Sequence, residues 1–417
     1  MKIPLALPLF VSLALYAQSP NSRAAVIEKE REAKAEKLEP DKVNAIERRL
    51  LAFKDAKYFE RAATGFNGLR VAIGNMVTGS GFAAGPEYYR EDLMHGKLTA
   101  RASAVLSTKL YQKYEAQALL PRLANGKVSL EGIATHRNYS SLQYYGTGPD
   151  RPKELRTNYR LEDTSADGIL AIEPVRRVKL GASLGYLWTN VGPGDNSDFA
   201  STETVFGPDA APGIDHQTNF FRHGFFAQYD YRDDPLGMAK KGGNYVMQYS
   251  WFHDQKLNTY SFRRMDIELQ QFIPLLNKTR VIALRAKTTL TETDRNEQIP
   301  FYLQPILGGS DDLRGYRNFR FTDRNSMVMT AEYRWEIFSG LDGAVFADAG
   351  KVFPRRGMLN FRDLESSVGF GLRFNVRNAT FIRTDIAFSH EGFQFWFKFN
   401  DVFNSRRFGT TTGQPVY

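Results

Sequence analysis

The chain has 417 residues, 42% of them apolar and 13% aromatic, with 31 Phe, 20 Tyr, 34 Gly and no cysteine. The missing thiols exclude a disulfide framework, a Cys-ligated zinc site and a thiol nucleophile, and a mean hydropathy of −0.41 leaves no bundle of membrane helices. The formal net charge of +9 would permit a nucleic-acid partner. Charges spread among aromatics in an exported chain belong instead to lumen and membrane surfaces, so no nucleic acid is expected.

The export signal comes first. Lys2 supplies a positive start, Ile3 to Tyr16 are apolar with only Pro8 and Ser12 as relief, and Leu15-Tyr16-Ala17 offers a small residue for cleavage. This predicts a secretory signal peptide over 1–17, because the run is shorter than the roughly 20 residues a membrane span needs. Residues 18–62 read as a helical periplasmic segment. Ala24 to Lys37 are rich in Glu, Lys, Arg and Ala, Pro40 breaks the run, and Val43, Ile46, Leu50 and Phe53 then recur on one helical face. Two readings stay open: a helix packed on or inside the downstream part of the chain, or a solvated arm.

From 63 to 403 the period changes to two. Phe393, Phe395, Phe397 and Phe399 alternate with Gln394, Trp396, Lys398 and Asn400, and Ile282, Leu284 and Ala286 alternate with Ala283, Arg285 and Lys287. One face of each segment is greasy and the other charged. The segments run to roughly 9–13 residues, where soluble strands average about 5–6 and membrane strands need about 9–11. Only a closed barrel pairs every backbone group in hydrocarbon. The prediction is therefore all-β: a sixteen-stranded antiparallel transmembrane β-barrel, its first strand near 67–76 and its last near 393–403. Long connections are expected at 140–157, 191–218 and 293–325, with short turns such as Pro174-Val175-Arg176 at the other end. Residues 404–417 form a polar C-terminal tail. The six histidines show no metal-ligand spacing with a carboxylate, and no nucleophile constellation stands out, so neither a cofactor nor an enzymatic activity is expected.

Three stretches exceed plain barrel grammar. Leu307 to Tyr316 contains Arg314-Gly315-Tyr316 inside the long loop. Glu332 lies in Thr330-Ala331-Glu332-Tyr333-Arg334, and Asp348 in Phe346-Ala347-Asp348-Ala349-Gly350. Alternation points Glu332 and Asp348 into the lumen from neighbouring strands, where an inward-folded arginine could reach both with a strong fork. A fourth stretch, Tyr229 to Pro235, contains Asp230, Arg232, Asp233 and Pro235, and reads most simply as a turn.

Together these stretches resemble the BamA/TamA-type bacterial surface antigen superfamily of outer-membrane assembly and secretion barrels. The resemblance implies that Arg314, Gly315 and Tyr316 form the tip of the sixth external loop, tucked into the lumen against Asp348, with Glu332 as the family's inward acid. Asp230, Arg232, Asp233 and Pro235 match its strand-turn-strand signature, and Tyr144 to Pro149 is similar to a loop common in these barrels. It implies insertion or translocation of a polypeptide, or of lipid, at the outer membrane of a Gram-negative-type bacterium. The opening would be a lateral seam between first and last strands, with an Arg–carboxylate clasp bracing the wall opposite. Expected partners are outer-membrane lipid, lipopolysaccharide and an unfolded polypeptide or lipid client. Most members carry periplasmic POTRA domains. The helical segment 18–62 does not read as one, so lipoprotein docking through such domains is not expected. The rival class is a passive pore or structural barrel without a client.

Overall fold

The computed structural model describes Lys29 and residues 66–403, apart from 75, 236–237, 277–278 and 377–378. The predicted signal peptide, the helical segment except Lys29, and the tail 404–417 lie outside the described residues. The chain divides into two units, Met1–Lys57 and Tyr58–Tyr417, and the sheet belongs to the second.

The strands are β1 Leu69–Ile73, β2 Ala83–Asp92, β3 Leu98–Ser107, β4 Gln112–Leu123, β5 Val128–Tyr144, β6 Thr157–Val175, β7 Val178–Pro193, β8 Phe220–Asp230 and β9 Gly242–Asp254. They continue as β10 Phe262–Leu275, β11 Arg280–Glu292, β12 Ile306–Leu307, β13 Phe321–Thr322, β14 Asn325–Phe338, β15 Leu341–Phe353, β16 Glu365–Val376, β17 Ala379–Ser389 and β18 Gly392–Lys398. Sixteen pair in chain order as one antiparallel sheet; β12 and β13 form a separate two-stranded ribbon inside the loop between β11 and β14. Such a meander, with connections of a few residues at one end and long loops at the other, is the grammar of a transmembrane barrel.

The faces sort as the alternation requires. Phe393, Phe395 and Phe397 are 66%, 60% and 51% exposed on the outer wall, while Ala283, Arg285 and Lys287 of β11 are buried on the inner one. In hydrocarbon the outer residues meet lipid, and the inner charges pair with one another.

Four boundaries differ from the sequence expectation. β5 runs on to Tyr144 instead of stopping near 139, because the β5–β6 register shifts between Tyr139 and Leu142. A bulge flips the facing of every later residue, so strict alternation ends there although the strand does not. β6 likewise continues through Val175, which places the turn at 176–177. β1 is only Leu69–Ile73. Gly74 ends it with φ +81°, and a β-carbon there would collide with Phe399. The last strand stops at Lys398, not 403. Beyond it Asp401, Val402 and Phe403 turn inward and are buried. Both oxygens of Asp401 accept from Arg334 at 2.8 Å, and the Phe403 ring lies 5.4 Å from that of Phe272 on β10.

Among the described residues no ladder pairs β1 with β18. The two ends of the sheet meet through side chains: Phe399, just past β18, packs on Gly74, just past β1, and its ring meets Phe82 edge-on at 5.4 Å. Residues 76–80, directly after β1, fold inward, with Met76, Val77 and Ser80 all at most 2% exposed.

Candidate functional site

Arg314 is fully buried at the tip of the loop 293–324, between Glu332 on β14 and Asp348 on β15. Its Nε and Nη2 donate to the two oxygens of Asp348 at 2.9 Å each, and its Nη1 donates to Glu332 Oε2 at 2.9 Å. Thr330 and Asp348 are register partners, and Thr330 Oγ1 donates to Asp348 Oδ1 at 3.0 Å. The guanidinium also lies 3.3 Å from the centroid of Phe346, two residues before Asp348 on the same face. A cation over an aromatic face gains attraction that grows as water is excluded.

Gly315 and Tyr316 complete the tip. A β-carbon on Gly315 would sit 2.6 Å from Ser367 Cβ and 2.9 Å from the Phe388 carbonyl, so no larger residue fits between the tip and β16–β17. Ser389 Oγ donates to the Gly315 carbonyl at 2.8 Å, and the Tyr316 hydroxyl donates to Glu365 Oε2 at 2.6 Å. The indole N–H of Trp396 on β18 donates to the Arg314 carbonyl at 2.7 Å. The tip is thus held by every strand from β14 to β18. It does not lie on the wall opposite the end strands, as the sequence reading had it; it sits beside them. Trp396→Phe, which removes one donor and keeps a smaller aromatic ring, is expected to cost about 1 kcal/mol or somewhat more, read as a small fall in melting temperature; an unchanged value would remove Trp396 from this network.

The sequence reading missed how far the charge network extends. Glu332 Oε1 also accepts from Arg334 Nε at 2.8 Å and Arg373 Nη2 at 3.0 Å. Arg373 and Arg383 stand directly opposite in the β16–β17 register. Like charges so placed repel, and Asp385 with Asp311 offsets them: Arg373 reaches Asp385 at 2.6 Å and Arg383 reaches Asp311 at 2.8 Å. Arg383 donates to the Ser310 carbonyl at 2.9 Å, and Arg285 on β11 to the Asp311 carbonyl at 2.8 Å. The available signal was an arginine or aspartate on the polar face of each adjoining strand.

On its other side the loop grips the segment after β1. Thr78 Oγ1 donates to Asn318 Oδ1 at 2.8 Å and lies 3.1 Å from Ser310 Oγ. Ser310 and Asn318 flank the tip in sequence, so one loop touches both ends of the sheet. The loop 145–156 adds a lid contact: Gly148 N–H donates to the Thr322 carbonyl at 2.8 Å, and Arg320 Nη2 donates to the Arg151 carbonyl at 2.7 Å.

Asp230, Arg232, Asp233 and Pro235 are elsewhere, at the short-turn end between β8 and β9. Arg232 forks onto Asp230 at 2.9 and 2.6 Å, and Asp233 Oδ1 accepts from the backbone N–H groups of Lys240 and Lys241 at 3.0 Å each. Pro235 is exposed. These bonds are local and close the turn.

A profile of the Omp85 superfamily domain matches residues 97–400, most of the chain. The chain belongs to the Omp85 superfamily. The loop tip and its two acids, which carried the resemblance to BamA/TamA-type surface antigens, fall inside this match. No curated protein sequence matches the chain. Among solved structures it is similar to BamA from Haemophilus ducreyi lacking POTRA domains 1–3, with a TM-score of 0.59 and 15% identity over 80% of this chain and 70% of that one. It is also similar to CdiB from Escherichia coli, with a TM-score of 0.55 and 11% identity over 80% of this chain and 62% of that one. At these identities the likeness is one of fold. The chain spans less than two thirds of the length of that CdiB. As an Omp85-type barrel it is placed in the outer membrane of a Gram-negative-type bacterium.

Proposed function

We propose that this Omp85 barrel inserts or translocates a polypeptide through a lateral seam between β1 and β18, with the loop 293–324 as an internal bolt across that seam. The long loops face the outside, and the greasy wall meets outer-membrane lipid and, in the outer leaflet, lipopolysaccharide. The supporting observation is the double grip of one loop. Arg314 fixes it to β14 and β15, Trp396 ties it to β18, and Thr78 ties it to the segment after β1. The end strands are the shortest of the sheet, with five and seven residues. With no ladder between them among the described residues, a client strand would meet short edges without displacing a β1–β18 pairing. Opening then needs Thr78 to leave Ser310 and Asn318 while the Arg314 clasp holds. The mechanism involves no cofactor and no enzymatic step.

The absence of cysteine makes the test clean. Thr78→Cys with Ser310→Cys places two sulfurs where oxygens now lie 3.1 Å apart. In proteoliposomes, the reduced variant is expected to speed insertion of an unfolded outer-membrane barrel protein diluted from urea, scored by heat-modifiable gel mobility. The oxidised variant should lose that effect, and reductant should restore it. Failure of the reduced protein to speed insertion, together with large steady single-channel currents indifferent to the cross-link, would favour a passive pore instead.

A further inference from the structure

A cavity of about 530 Å³ opens at the long-loop end, between the upper part of β5 and the turns after β1 and β3. It exists because β4 and β5 part company. β4 begins at Gln112, opposite Asn138, whereas β5 runs on to Tyr144. Above Asn138, then, one edge of β5 has no neighbouring strand. The backbone N–H of Asp195 takes up the Ser140 carbonyl at 3.0 Å, the Tyr111 hydroxyl donates to the Ser141 carbonyl, and a cavity remains between them.

The charges around this gap are unbalanced. Lys109, Arg156 and Arg160 line it against one carboxylate, Asp195. Arg156 is half-buried; its guanidinium stacks 3.8 Å above the Phe199 ring, and the Gln143 amide, turned with its oxygen toward the guanidinium, accepts from it. Among the described residues no carboxylate lies within ion-pair distance of Arg156 or Lys109, and Arg160 holds Glu162 only loosely at 3.9 Å. Burial, and then repulsion from Arg317, push the Arg156 guanidinium below its ordinary pKa, against opposing pulls from Tyr145 and Asp198 that are weaker than the burial. A partly desolvated cation beside a second cation is costly unless an anion arrives. Amides and hydroxyls of Asn138, Ser140 and Asn196 share the lining, with the Phe319 ring. The shielded Asn138 Oδ1 has no hydrogen-bond partner among the described residues.

We propose that this cavity binds a phosphorylated saccharide. The arginines suit the phosphate oxygens, which they can meet with paired N–H donors. Three lining cations against one lining carboxylate favour an anionic ligand, and a phosphate monoester, with close to two negative charges at neutral pH, meets them more fully than a singly charged sugar acid. The amides, hydroxyls and aromatic ring suit the sugar: polar partners for its hydroxyls and an apolar face for its ring. Asn138 Oδ1 accepts from a sugar hydroxyl. Two sources carry this chemistry, a lipopolysaccharide headgroup in the surrounding leaflet and a soluble sugar phosphate. Thr78 and Asn318, the bolt contact of the proposed seam, also line this cavity, but its cations stand on other segments, so binding is read on the closed chain without the seam having to open.

The test uses the full chain purified in detergent. Glucose 6-phosphate is titrated by calorimetry, with glucose and inorganic phosphate as controls. In a second arm the protein is held in nanodiscs with and without lipopolysaccharide, and retention of the labelled lipid is measured. Saturable binding of glucose 6-phosphate, or retention of lipopolysaccharide, weakened about tenfold by Arg156→Gln with Arg160→Gln, supports the proposal. The first result assigns a soluble ligand, and the second alone a lipid headgroup. Lys109→Gln, on an exposed turn, gives an independent variant should the double one fold poorly, and a weaker affinity is expected there too. Three results overturn the site: neither probe bound, folded variants binding like the native chain, or glucose or phosphate alone binding as tightly as the sugar phosphate.

Discussion

Replacing Arg314 by alanine is expected to destabilise the barrel by about 3–5 kcal/mol, the usual cost of breaking a buried pair from one side. The asymmetry of the site explains why. Glu332 keeps Arg334 and Arg373 when Arg314 is gone, but Asp348, 1% exposed, has its one ion pair among the described residues with Arg314. Only the hydroxyls of Thr330 and Ser367 and the backbone N–H of residue 314 would remain to satisfy it. The loop would lose its ion pairs to β14 and β15 together, keeping the backbone N–H of residue 314 on Asp348, while Trp396 and Tyr316 still held it to β18 and β16. Two readouts report the loss: a lower melting temperature by heat-modifiable gel mobility, and new protease cleavage within 305–325. Arg314→Lys should fall between, because an ammonium keeps the charge and loses the fork. A native-like melting point and a native-like protease pattern in the alanine variant would dismiss the clasp.

Glu332→Gln is expected to cost about as much, again roughly 3–5 kcal/mol, for the opposite reason. The carboxylate is the meeting point of Arg314, Arg334 and Arg373, and the amide would turn donors toward at least one of them. Three cations would then share Asp348, Asp385 and Asp401. Adding Arg314→Met to Glu332→Gln should cost less than the sum of the two single losses, with a coupling of about 1–3 kcal/mol, because the two residues touch. Strict additivity of the two single losses would mean that the direct Arg314–Glu332 contact contributes nothing.

How much of this was legible depended on the range of the interaction. The sixteen strands were readable because the wall is wetted by two different solvents, and each strand records that contrast locally with a period of two. The inward facing of Glu332 and Asp348 came from the same alternation, and the identity of their cation from the resemblance of Arg314-Gly315-Tyr316 to a known loop tip. The boundaries failed where the chain leaves the regular pattern. The bulge after Tyr139 reverses the alternation without ending β5. Phe399 keeps the spacing of Phe393, Phe395 and Phe397, yet it lies beyond β18 and packs on Gly74.

By itself, then, the sequence determined the membrane, the strand number, the facing of wall residues along the regular stretches and the presence of an arginine with two acids, since these rest on neighbours along the chain or on motif residues kept together. Tertiary structure alone decided that the loop lies beside the ends of the sheet, that Thr78 meets Ser310 and Asn318 across 232 and 240 residues of sequence, and that Asp401 turns inward to Arg334. Those contacts join residues whose local patterns are silent about each other. Wrapping the sheet is what brings them within hydrogen-bonding distance.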